Sequence, residues 1–217
     1  MRTHAAIRRA AFRGPLLLVL AGAFATLPGT ATRAHAAPLD CHSATTALRE
    51  SLEVVVETVI DGRKARLPRT AEGASVFWEA HHGSFDHDPD AGAQMAAMVD
   101  SARRGSAREA ARLAVQVAVA SLKWCNGPLR TEDQLMLLDF VGMTAWLRAR
   151  GGKIDWPDGI KHATDDLAGQ LVKRRKTALA KQLRAAVTVA MAPKARVDVK
   201  ASARLLALVD DVEKALR

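Results

Sequence analysis

The stretch 131–150, TEDQLMLLDFVGMTAWLRAR, decides the fold that we predict for this chain. Apolar side chains occur on every side of the helix that it would form, and not only along one stripe. A helix that is apolar all round is buried, whereas a helix at the surface of a bundle has one apolar face. The pattern therefore predicts a central helix over 132–150. A capping-box pattern from Thr131 to Gln134 predicts its start, and Gly151-Gly152 predicts its end.

Amphipathic helical patterns lie on both sides of this stretch. Four helices are predicted before it, and the second of them has Ala74, Phe77, Trp78 and His81 on its inward face. Their predicted starts are, in chain order, Asp40 or Ser43 for the first helix, Asp88-Pro89 for the third and the capping box Ser106–Glu109 for the fourth.

Two helical segments are predicted after the central stretch. One long segment covers 160–191 and stops before Pro193, with a break near Lys173–Lys176 left open. A final helix carries Leu205, Leu208 and Val212 on one face. No stretch is typical of a strand. We therefore expect an all-α, single-domain helical bundle of six to seven helices over residues 37–217, with one disulfide.

Residues 1–36 have the three parts of a secretory signal peptide. Arginines without acidic residues come first, an apolar run over 15–27 follows, and Ala34-His35-Ala36 offers a cleavage site. The apolar run is shorter than the roughly 20 residues that span a membrane. We predict cleavage after Ala36 and a periplasmic or secreted protein. The alternatives are a retained anchor helix and a twin-arginine signal at Arg8-Arg9.

Cleavage would change the charge balance. The whole chain has a net charge of +9, and residues 1–36 hold five arginines and no acid, which leaves +4 for residues 37–217. The excess lies in residues 127–217, with 17 basic and 11 acidic side chains. Such mild basicity suits an anionic surface but is far from the charge of a nucleic-acid-binding protein, so no nucleic-acid partner is expected.

The two cysteines, Cys41 and Cys125, predict one structural disulfide, because export takes the chain into an oxidising compartment. Cys41 stands at the start of the first predicted helix and Cys125 at the end of the fourth. If successive helices alternate in direction, these two points lie at the same end of the bundle.

The segment 77–98, FWEAHHGSFDHDPDAGAQMAAM, is the first candidate functional site. Glu79 and His82 are three residues apart and share one side of a helix, and Asp86 and His87 follow in the connection. Imidazole and carboxylate ligands suit copper, zinc or nickel, so these four residues form a hypothetical metal site. His81 would be a core residue beside Trp78.

Other interpretations of the segment stay open. It can be a solvated connection between two helices, with Met95 and Met98 in the core. Met and His ligands would also suit copper(I) or a b-type haem. A di-iron site is disfavoured because the chain lacks a second Glu-x-x-His, and c-type haem attachment is excluded because Cys-x-x-Cys-His is missing.

The second candidate site is the basic run Lys173, Arg174, Arg175, Lys176. It can bind an acidic protein or an anionic envelope surface. The alternative is that it is only the solvated face of a helix. Trp156–Gly159 predicts a turn with one buried ring, or the rim of a pocket with His162. Motifs of serine hydrolases, zinc proteases and phosphate-binding loops are missing. We therefore expect an exported, non-catalytic binding or accessory protein of the cell envelope. The alternative is a periplasmic metal- or haem-binding redox protein.

Overall fold

A computed structural model describes residues 39–192 and 199–217, which form α-helices and no strand. The helices are α1 (Cys41–Ile60), α2 (Leu67–His81), α3 (Ala91–Arg103), α4 (Ala107–Ala120), α5 (Thr131–Ala149), α6 (Ile160–Lys173), α7 (Thr177–Ala190) and α8 (Val199–Leu216). The all-α prediction is confirmed. The predicted signal peptide over 1–36 and the predicted stop at Pro193 lie outside the described residues.

The described residues form eight α-helices, so the predicted number of six to seven was too low. The segment 160–191 is two helices, because the chain turns at Arg175, whose φ is +60°. Lys176 N–H donates to Leu171 O at 2.8 Å, and Arg175 N–H donates to Val172 O at 2.9 Å. These two bonds are a Schellman motif, which satisfies the last carbonyls of α6 and ends the helix. The break that the sequence left open is therefore present.

The helices pack in two groups of four. In the first group α1 to α4 contact one another in sequence, and α4 returns to α1; in the second group α5 to α8 do the same, and α8 returns to α5. Each group encloses its own buried apolar cluster. Helix α5 also contacts α1 and α4, so it joins the two groups.

The two faces of α5 explain why its sequence is apolar all round. Phe140, Met143 and Leu147 belong to the cluster enclosed by α1–α4. Leu138 and Val141, on the other side of α5, belong to the cluster enclosed by α5–α8. The predicted central position of this helix is confirmed, with the refinement that it is shared between two cores.

Helix α8 approaches α5 closely at Gly142. A Cβ atom at this position would lie 2.7 Å from Leu206 Cδ2, closer than packed atoms come. Ser202 Oγ donates a hydrogen bond of 2.7 Å to the carbonyl of Gly142. The missing side chain therefore lets the backbones of the two helices come near enough for this buried bond.

Two of the predicted helix starts are correct in position. Asp40 caps α1, because its carboxylate accepts the Ser43 N–H at 3.1 Å. Ser106 stands directly before α4, although its side chain makes no capping bond there. Helix α3 starts at Ala91 and not at Pro89, because Pro89 lies in a turn closed by Ala91 N–H and Asp88 O at 3.0 Å.

The predicted capping box of α5 was wrong by one residue. Asp133 accepts the Arg130 N–H at 3.0 Å and so takes the role that the sequence pattern gave to Gln134. The Gln134 side chain instead donates to Asp166 of α6 at 3.1 Å. A polar side chain at the start of a helix can either cap that helix or hydrogen-bond to a neighbouring helix. Gln134 does the second.

Candidate functional site

The histidine-rich segment connects α2 to α3 at one end of the first helix group. A short 3₁₀ turn, His82–Ser84, follows the last residue of α2. The backbone is extended at Phe85, with φ −145° and ψ 156°. The connection therefore folds back over the end of α2, and Phe85 and His87 return to the side chain of Trp78.

Trp78 is the centre of an aromatic cluster at this end. Its ring centroid lies 4.8 Å from His87, 5.6 Å from His82 and 5.7 Å from both Phe85 and Trp124. Phe85 stacks on Trp124 at 5.1 Å. Aromatic contacts at these distances stabilise a fold beyond the effect of burial alone. The cluster therefore fastens the connection to the segment that follows α4, which contains Trp124.

The structure does not support the hypothetical metal site. Among the described residues, no group of three His, Cys, Asp or Glu side chains could hold a metal ion. His82 and His87 pack against the indole of Trp78, with their ring centroids 5.7 Å apart. Glu79 and Asp86 are exposed. Glu79 lines a shallow depression between α2 and α3, together with Glu72 and Arg103.

His81 was predicted to be a core residue beside Trp78, and this was wrong. It is half-buried and packs on Phe77, with the ring centroids 4.5 Å apart. Both side chains lie at the margin of the core, because the buried stripe of α2 passes through Ala74 and Trp78. Met95 and Met98 are fully buried in the first core, as the solvated-connection interpretation expected.

The disulfide between Cys41 and Cys125 is confirmed, with the two Cα atoms 5.9 Å apart. It lies beside the aromatic cluster, since Cys41 Sγ is 3.6 Å from the carbonyl oxygen of Trp124. The start of α1 and the chain after α4 thus meet at one end of the bundle, as alternating helix directions require.

The second candidate site is the basic turn, which we define as Lys173, Arg174, Arg175 and Lys176. All four residues are exposed, and Val172 beside them is 47% exposed. The hydrogen bonds that close α6 fix the backbone of the turn, and Arg174 Nη1 donates to the carbonyl of Ala215 at 3.3 Å. Within the described residues none of the four cations has a carboxylate partner.

The basic turn lies at the same end of the bundle as the disulfide. Thr131, the first residue of α5, hydrogen-bonds through its side chain to Gln170, near the end of α6. Because the chain runs from Cys125 to Thr131 in a short connection, the turn after Gln170 projects from that end. The basic run is therefore a helix connection, and not the side of one long helix.

Sequence reasoning missed a third feature, a polar depression lined by Arg112, Gln116, Arg148, Gly152, Lys153, Ile154 and Asp155. Its nearest sequence signal was the turn around Trp156, for which a pocket rim was one interpretation. Trp156 is half-buried beneath the guanidinium of Arg148, 5.1 Å from its ring centroid. His162 is exposed and pairs with Asp166, so it is not part of the depression.

Comparison of the chain with protein-family models, with curated protein sequences and with solved structures gives no match. Among the described residues, no helix is both long enough and apolar enough to cross a membrane.

Proposed function

We propose that this chain is an exported, non-catalytic accessory protein of the cell envelope, released by cleavage after Ala36, which docks on an anionic membrane leaflet through the basic turn. The observation that carries the proposal is the turn itself. Four adjacent cations, Lys173 to Lys176, project from one end of the bundle without a carboxylate partner among the described residues.

Elsewhere on the described surface, basic side chains are often paired with carboxylates. Lys161 and Arg184 pair with Asp165, and Lys123 pairs with Asp158. Placing four like charges on adjacent residues costs electrostatic free energy, which an anionic partner relieves. The feature is therefore better explained by a partner than by solubility.

The shape of the turn favours a surface over a peptide. It is a projecting helix connection, and neither of the two depressions described above includes any of its residues. The exposed Val172 adds an apolar contact that an interfacial position would bury. A flat layer of anionic headgroups fits such a projecting tip.

The expected binding is weak and reversible. Each Lys or Arg near an anionic leaflet contributes about 1 kcal/mol, so the basic turn contributes about 4 kcal/mol, equivalent to a Kd of about 1 mM. The attraction acts within about 10 Å at 0.1 M salt and weakens as salt is added. Docking would thus raise the local concentration of the protein at a membrane without anchoring it.

Vesicle co-sedimentation tests the docking. We expect the protein to pellet with vesicles that contain phosphatidylglycerol, to stay in solution with phosphatidylcholine alone, and to be released by added salt. Replacing all four cations of the basic turn by Gln should abolish pelleting.

The matched control replaces four other exposed basic residues, Arg63, Lys64, Arg66 and Arg69, by Gln. This variant should still pellet. Equal binding by the basic-turn variant and the wild type, or equal loss in both variants, would show that the turn is not the docking surface.

Export is tested separately. The Cys41–Cys125 disulfide supports it, because such bonds form and persist in oxidising compartments. Mass spectrometry of protein from a periplasmic or secreted fraction should give a mature chain that begins Ala37-Pro38-Leu39. A product that retains residues 15–27 would contradict the proposed cleavage.

A metal- or haem-dependent redox function was the alternative, and no structural observation favours it. The candidate ligands Glu79, His82, Asp86 and His87 do not form a group that could hold a metal ion. His87 is half-buried against the indole of Trp78, and His82 stacks on the same ring from an exposed position.

A further inference from the structure

The polar depression lies at the end of α5 opposite the disulfide and has a volume of about 320 Å³. Helix α4 contributes Arg112 and Gln116, the last turn of α5 contributes Arg148, and the connection after α5 contributes the rest. Three cations and one carboxylate, that of Asp155, line it. It is separate from the basic turn, which is at the other end of α6.

Arg148 is held in a fixed orientation at the edge of this depression. Its Nη1 donates to the carbonyl oxygen of Ile154, and its guanidinium lies over the ring of Trp156 at 5.1 Å. Its Nε and Nη2 groups donate to no other described residue. A guanidinium that is already held in place loses little freedom when it binds a second acceptor, and its parallel N–H groups match the oxygens of a carboxylate or phosphate.

Arg112 is held by its neighbours on α4. Its Nε and Nη2 donate to both carboxylate oxygens of Glu109, and its Nη1 donates to Gln116 Oε1 at 2.7 Å. The hydrogen bonding that Arg112 donates to the Glu109 carboxylate raises the pKa of Arg112. The charge of Glu109 is therefore committed to Arg112, and it does not neutralise Arg148 or Lys153.

Two more cations, Arg108 and Arg150, are close in sequence to the lining residues but do not line the depression. Arg108 Nη1 donates to the carbonyl oxygen of Arg150 at 2.8 Å, and the guanidinium of Arg150 lies over Trp146 at 4.3 Å. Neither side chain has a carboxylate partner within the described ranges. With Glu109 committed, Asp155 is the carboxylate that lines the depression together with Arg148 and Lys153.

We infer that this depression binds the oxyanion group, phosphate or carboxylate, of a small ligand. Arg148 supplies a held pair of donors, Lys153 supplies an exposed ammonium group, and Gln116 and the backbone around Gly152 complete the wall. An anion that is bound by a guanidinium and an ammonium group accepts charge-assisted hydrogen bonds. These are about twice as strong as hydrogen bonds between neutral groups. The inference does not depend on membrane docking, because the two sites share no residue.

The inference is tested by titrating the protein with inorganic phosphate and with succinate. Each titration is monitored by ¹H–¹⁵N correlation spectra of the tryptophan indoles. The Trp156 signal, assigned from the Trp156→Phe variant, should shift with saturation while the Trp78 and Trp124 signals stay in place. A response to phosphate alone identifies a phosphate ligand, and a response to succinate alone identifies a carboxylate ligand. No saturable shift with either probe would overturn the inference.

Charge variants make the test specific. Lys153→Gln should weaken binding about fivefold, and Asp155→Asn should strengthen it about threefold, because each changes one charge at the ligand. Both side chains are exposed, so neither change should unfold the protein. Lys214→Gln on α8 makes the same charge change elsewhere and should leave binding unchanged. Equal effects of Lys153→Gln and Lys214→Gln would show only general attraction of anions and would overturn the site.

Discussion

Arg49 of α1 and Asp133 of α5 form a buried ion pair, with Nη2 and Oδ1 2.5 Å apart and both side chains almost inaccessible to solvent. The other oxygen of Asp133 accepts the backbone N–H of Arg130, and Arg49 also donates to the carbonyl of Ser121 at 3.4 Å. Burial lowers the pKa of Arg49, and the Asp133 carboxylate opposes this effect. The pair therefore connects three chain segments near the disulfide.

Breaking this ion pair should destabilise the protein strongly. Asp133→Asn keeps an oxygen for the Arg130 N–H but leaves Arg49 buried without its counter-charge, which typically costs about 3–5 kcal/mol. Adding Arg49→Met removes the stranded charge, and we expect the double variant to recover most of the loss. Denaturant unfolding with the disulfide intact measures both. A double variant less stable than Asp133→Asn would contradict this account.

The disulfide is expected to be a large single contribution to stability. It closes a loop across 84 residues of sequence separation, which corresponds to about 4.5 kcal/mol in the chain-entropy model. Cys41→Ser combined with Cys125→Ser should lower the free energy of unfolding by about that amount. Non-reducing peptide mapping should find one linked pair and no free thiol in the wild type. A double variant as stable as the wild type would show that the unfolded chain gains little freedom.

The helices and the disulfide could be predicted because their signals are local or fixed by topology. The apolar residues on all sides of α5 indicate that this helix is buried. Cys41 and Cys125 lie at predicted helix ends, which come together because successive helices alternate in direction. The division of α5 between two cores could not be predicted, because it depends on which side chains of α8, such as Leu206, pack on it.

The candidate sites were harder to predict because they depend on contacts between distant segments. The imidazoles of His82 and His87 were interpreted as ligands, but Trp124, on another part of the chain, contributes to the cluster that packs them. The polar depression is lined by Arg112 of α4 and Arg148 of α5, and no spacing within one helix indicates that they lie on one depression. The basic turn was visible because its four residues are adjacent.

Gly142 is expected to tolerate no side chain. Gly142→Ala would push a methyl group against Leu206, and overpacking of this kind costs about 1–3 kcal/mol. Gly73, within α2, has no atom within 4 Å of a new Cβ, so Gly73→Ala should stabilise the protein by about 0.5–1 kcal/mol. Thermal unfolding of the two variants should show shifts of opposite sign. A stabilising Gly142→Ala would mean that α8 moves away at little cost.

The ion pairs of Asp165 should make the stability of the protein depend on pH in the acid range. Hydrogen bonds from Lys161 and then Arg184 hold the pKa of Asp165 below its usual 3.8. A lowered folded-state pKa gives stability that is present above the unfolded-state pKa and is lost as pH falls through the folded-state value. Asp165→Asn should therefore be less stable than wild type at about pH 6, with the gap closing below pH 3.8. Asp86→Asn makes the same substitution at an exposed residue without an ion pair among the described residues and is the matched control. An equal loss of stability in both variants would contradict the role of the Asp165 ion pairs.

Arg175 occupies a backbone conformation that glycine prefers, since its φ is +60°. The Schellman motifs that end α1, α3 and α5 place glycine there, at Gly62, Gly105 and Gly151. A left-handed conformation costs a residue with a side chain about 1–2 kcal/mol. Substitution by glycine removes this cost, but the greater freedom of glycine in the unfolded chain offsets part of the stabilisation. Arg175→Gly should therefore stabilise the protein by about 0.5–1 kcal/mol. As a control, Lys173→Gly, within α6, removes the same charge but should destabilise the protein by a similar amount. Chemical unfolding measures the change in the free energy of unfolding of both variants. A lower stability of Arg175→Gly than of the wild type would contradict the backbone strain at Arg175.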